Sequence, residues 1–112
     1  MVVSSFSVDD DKGFNGTLFR CIDCALRSTL GEGSAQAMYF MIRDVSRKEI
    51  GYFESRPMEM LDYLHQLLGN GYFGIERIIV REVRKSFSLD ETEITLEGVI
   101  KRARAKFLNV SD

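Results

Sequence analysis

Four groups of residues in this 112-residue chain have the types and spacing to do chemistry. Cys21-Ile22-Asp23-Cys24 is a C-x-x-C pair, half of a structural zinc site or the core of a dithiol redox motif. Zinc needs a second pair or added histidines, and a redox pair sits where a strand enters a helix. The chain has two cysteines and one histidine, and its C-x-x-C falls in the middle of a predicted helix. The cysteines therefore read as packing residues, each a small hydrophobe. His65, the lone histidine, would need a nucleophile within reach to act as a general base. The sequence sets only Glu59 and Asp62 beside it, so it reads as a partly exposed structural side chain. Gly31-Glu32-Gly33 and Gly69-Asn70-Gly71 precede predicted helices, where free backbone N–H groups can hold phosphate. Neither carries the Lys-Ser/Thr of a P-loop or a full G-x-G-x-x-G after a strand. Both read as turns. The sequence thus predicts no catalytic residue, no metal ligand and no cofactor.

The fourth group is cationic. On a helix over about 72–87, Arg77, Arg81, Arg84 and Lys85 fall within about a third of the circumference at 100° per residue. Like charges at i,i+4, as in Arg77–Arg81 and Arg81–Lys85, cost ~0.2–0.5 kcal/mol per pair. A following helix adds Lys101, Arg102, Arg104 and Lys106 opposite its apolar stripe. These eight residues are the candidate surface for a partner or for nucleic acid. Asp90, Glu91, Glu93 and Glu97, or Asp44 and Glu49, are the acids that could neutralise it. The ridge has no interleaved aromatics of the kind that stack single-stranded bases.

The elements that would position these groups come from periodicity. Asn15 reads as the cap of a helix over about 16–30, with Leu18, Ile22, Ala25 and Leu26 on one face. Ser34 reads as the cap of a second helix, about 35–46, apolar nearly all round and so expected to be the buried central helix. Glu49–Phe53 reads as a connector or short strand. Pro57 suits the first turn of a third helix, about 57–68. The fourth, about 72–87, carries Tyr72, Ile75, Ile78, Ile79, Val83 and Phe87 on its apolar face, and the β-branched Ile78-Ile79-Val80 does not outweigh its helical spacing. Thr95 reads as the cap of a fifth, about 96–107. Glu76 is expected to reach an arginine of the other hairpin, Arg43 being the candidate.

Two of these segments are copies. Residues 26–45 and 64–83 align at an offset of 38 (64 − 26), with Leu26/Leu64, Leu30/Leu68, Gly31/Gly69, Gly33/Gly71, Arg43/Arg81 and Val45/Val83 identical. A helix, a Leu-Gly-x-Gly break and a helix ending in Arg-acid-Val is written twice. The predicted fold is all-α: about five helices in a compact bundle containing two helix–turn–helix hairpins related by a pseudo-twofold. Residues 1–13 read as an acidic flexible tail and 14–108 as a single helical domain.

Composition bounds the rest. The chain is 45% hydrophobic and 29% charged, with a formal charge of −2, which excludes a strongly basic nucleic-acid protein in bulk though not a local patch. The few cysteines favour a reducing compartment. The N-terminus has no basic region followed by an apolar one, which reads as no signal peptide, and no run reaches a membrane span. A cytoplasmic protein is expected. Phe6, Phe14, Tyr52, Phe53 and Phe73 are expected at the surface, and with them a homodimer.

The order Leu30-Gly31-x-Gly33, the apolar Met38-Tyr39-Phe40, Pro57, Leu67-Leu68-Gly69-x-Gly71 and then Glu76-x-x-Ile79-Val80-Arg81-Glu82 resembles a small archaeal all-helical family of unknown function. The resemblance spans about residues 15–107. Relatives of that family look like output domains of signalling proteins, and the resemblance supplies no catalytic residues. It implies a non-enzymatic regulatory or protein-interaction module. The alternative reading is a nucleic-acid-binding regulator using the cations of the fourth and fifth helices.

Overall fold

The computed structural model describes residues 2–89 and 95–110, with side chains described for 13–89 and 95–107. Over these residues the protein is all-α, with six helices and one 3-10 turn. They are α1 (Val2–Leu30), α2 (Glu32–Ser46), α3 (Ile50–Glu54), α4 (Pro57–Leu68), the turn Gly69–Gly71, α5 (Tyr72–Phe87) and α6 (Leu96–Val110).

Several boundaries follow the local rules. Pro57 opens α4, where its missing N–H costs nothing. Thr95 Oγ1 accepts a hydrogen bond from the Gly98 amide at 3.1 Å, capping α6. Gly31 (φ 89°) and Gly69 (φ 57°) take positive φ at the two repeated turns, a region that penalises any Cβ.

Other boundaries differ from expectation. α1 begins at Val2 rather than near 16, so Asn15 is not a cap. It lies inside the helix, where its Nδ2 donates to the Ser55 carbonyl at 3.1 Å and ties α1 to the end of α3. In the expected acidic tail, the side chains of residues 1–12 lie outside the described set. Ser34 is not a cap either: α2 starts at Glu32, with Gly31 as N-cap and no side-chain cap. The connector around Glu49–Phe53 is the short helix α3, not a strand, and it buries Phe53 completely.

The main correction concerns the centre of the bundle. α2 is not the central helix: α1 packs on all five other helices, most extensively on α5, which also packs on α6. The inner face of α5, Tyr72, Ile75, Ile79 and Val83, is buried, and a fully buried aliphatic side chain contributes ~1.5–3 kcal/mol. α2 buries only Ala35, Met38 and Ile42 and leaves Phe40, Met41 and Val45 at 63%, 43% and 54% exposure. The two helix–turn–helix units are both present, but α1 and α2 lie along each other, whereas contacts between α4 and α5 are sparse.

An aromatic trio closes one end of the α1–α5–α6 layer. Phe14 lies 5.4 Å from Phe87 and 5.8 Å from Phe107 between ring centroids, within the range of favourable tilted contacts. Phe14 and Phe53, both expected at the surface, are core residues, and Tyr52 is half-buried. Of the expected surface aromatics, Phe73 is exposed and Phe6 lies outside the described side chains.

Candidate functional site

The four cations of α5 share one groove. Arg77, Arg81, Arg84 and Lys85 line an open depression of about 850 Å³ together with Gly74, Ile78, Val80 and Leu89. Helical geometry explains the grouping. Positions 74, 77, 78, 81, 84 and 85 follow the i, i+3, i+4, i+7 rule and emerge on the side of α5 away from Ile75, Ile79 and Val83. Within α5 the lining runs from Gly74 to Lys85, about 16.5 Å at 1.5 Å per residue, and Leu89 joins it just past the end of the helix.

Among the described residues no carboxylate lines the groove. Arg77, Arg81 and Lys85 are exposed and form no ion pair among the described residues. The acids of α5 itself lie to the sides. Glu76 acts on Tyr72, whose hydroxyl is pushed up to about 12 by burial first and then by the charges of Glu76 and Asp62. The Glu82 backbone carbonyl accepts a weak bond from Cys21 Sγ at 3.7 Å. Of the acids expected to neutralise the ridge, Glu49 pairs instead with Arg43 at 3.8 Å, which also removes Arg43 as the expected partner of Glu76. Asp90, Glu91 and Glu93 lie outside the described residues.

The α6 cations do not join the groove. Lys106 donates to the Ser88 carbonyl at 2.8 Å, tying α6 to the C-cap of α5. Arg104 sits 5.6 Å over the Phe14 ring in a cation–π contact. Lys101 and Arg102 are exposed on α6. The eight predicted residues are thus two sets, of which only the α5 set converges.

The other candidate groups have structural settings. Cys21 is buried and donates to Ser86 Oγ at 3.3 Å, linking α1 to α5, and burial pushes its thiol up. Cys24 is exposed, so the packing reading holds for Cys21 alone. Among the described residues no three His, Cys, Asp or Glu side chains are grouped to hold a metal ion. His65 is exposed and stacks on Tyr72 at 4.5 Å with 17° between the planes, at the α4–α5 corner.

At the first turn, Asp23, Arg27, Glu32 and Tyr39 form a polar clasp. Arg27 Nε donates to both Asp23 oxygens at 3.0 Å, its guanidinium reaches Glu32, and the Tyr39 hydroxyl donates to Asp23. Burial and the Asp23 charge push the Tyr39 hydroxyl far up, and Arg27 holds Glu32 below the usual carboxylate range.

Sequence reasoning found the cations but missed the apolar part of the groove. Gly74 and Ile78 sit on the same helical face as Arg77 and Arg81, and that register was the available signal. Val80 and Leu89 border the groove from positions that periodicity assigns to the flank of the core.

Fold and site together define an all-α bundle in which α5, packed on α1 and α6, turns a cationic groove outward. No family model, curated protein or solved structure matches the chain. Among the described residues no helix is long and apolar enough to cross a membrane.

Proposed function

We propose that this chain is a non-enzymatic regulatory module that binds an anionic protein partner through the outer face of α5. One observation carries the reading. Arg77, Arg81 and Lys85 stand exposed along a single groove, and among the described residues no carboxylate lines it. Like charges at i,i+4 cost ~0.2–0.5 kcal/mol per pair, and an anionic partner turns that cost into attraction. The resemblance to signalling output domains and a cytoplasmic setting belong to the same proposal. So does the homodimer, for which the exposed Phe40, Met41 and Val45 of α2 offer apolar surface. A single species of monomer mass in sedimentation equilibrium would remove that part.

The nucleic-acid reading draws on the same cations. Among the described residues the lining holds no aromatic side chain on which a base could stack and no Asn or Gln to read an adenine edge.

The test compares poly-L-glutamate with single- and double-stranded oligonucleotides at about 50 mM salt, where charge-driven binding is strong. The proposal expects poly-L-glutamate to bind, with affinity falling as salt rises, and expects Arg77→Glu with Arg81→Glu to abolish it. Binding of the oligonucleotides alone would transfer the groove to the nucleic-acid reading. Binding of neither polymer would end both.

A further inference from the structure

We draw no further inference here: the strongest candidate, the exposed apolar face of α2 carrying Ala37, Phe40, Met41 and Val45, is already offered to the proposed homodimer, and nothing in the structure shows what else covers it.

Discussion

α2 and α5 are the second helices of the two repeats, and the fold uses them oppositely. At the offset of 38, Ala37, Met41 and Val45 of α2 correspond to Ile75, Ile79 and Val83 of α5. The α5 residues are 3%, 0% and 0% exposed, whereas Met41 and Val45 are 43% and 54% exposed. The same apolar register is core in one copy and surface in the other. The reason is tertiary: α5 packs extensively on α1 and α6, while α2 has lesser contacts with α1, α4 and the short α3. Burying its apolar face against two neighbours leaves α5 a narrow outer face, and that face carries the cations. A periodic pattern therefore records which faces of a helix could be buried, and the neighbours decide which are.

This contrast can be broken most directly in the core. Ile79→Ala should cost ~2–5 kcal/mol, as cavity-forming changes in a closed core do. Met41→Ala, at the matching position of α2, should cost no more than ~0.5 kcal/mol. Urea unfolding of both variants measures the difference, and equal losses would mean that α2 is as enclosed as α5. Next in size is binding. Arg81→Glu should reduce affinity for acidic ligands by about tenfold, ~1.4 kcal/mol. Arg43→Glu, its partner in the repeat, should change it less than twofold.

The turns sharpen the contrast further. The α1–α2 corner is held by the Asp23–Arg27–Glu32–Tyr39 clasp, whereas no ion pair spans the Gly69–Gly71 turn among the described residues. Glu32 is held below its ordinary value by Arg27. Its contribution is therefore present above the unfolded carboxylate pKa of about 4.3 and is lost as pH falls through the lower folded value. Amide exchange on acidification should rise in α2 before α5. The smallest effect is at the helix ends. Arg47 and Ser88 hold positive φ of 63° and 54° at the C-caps of α2 and α5. Glycine at either should stabilise the chain by ~0.5–1 kcal/mol, read as a higher thermal midpoint.

Much of this was legible in the residues. The helix at α5, Pro57 at the start of α4 and the Thr95 cap follow from local chemistry that the tertiary structure leaves intact. α3 was not legible, because five residues are too few to show a helical period. The start of α1 was hidden because Gly13, Asn15 and Gly16 look like a break. Yet helix continues through them, with Phe107 packed so near Gly13 that a Cβ there would lie 3.2 Å from its Cζ. The place of α2 could not be read, since Phe40, Met41 and Val45 are as apolar as any core residue. The cationic ridge was visible as spacing on one helix. The place of Ile78 was not, because by type it fits the inner apolar face, whereas it stands half-buried in the lining of the groove.

The central claim is that the outer face of α5 is the binding surface. An amide-resolved NMR titration of the full chain with poly-L-glutamate tests it in one measurement. Shift changes should concentrate between Gly74 and Leu89 and leave Ala37–Val45 and Lys101–Lys106 nearly unmoved. Dominant changes along α6 or α2, with α5 silent, would contradict the account.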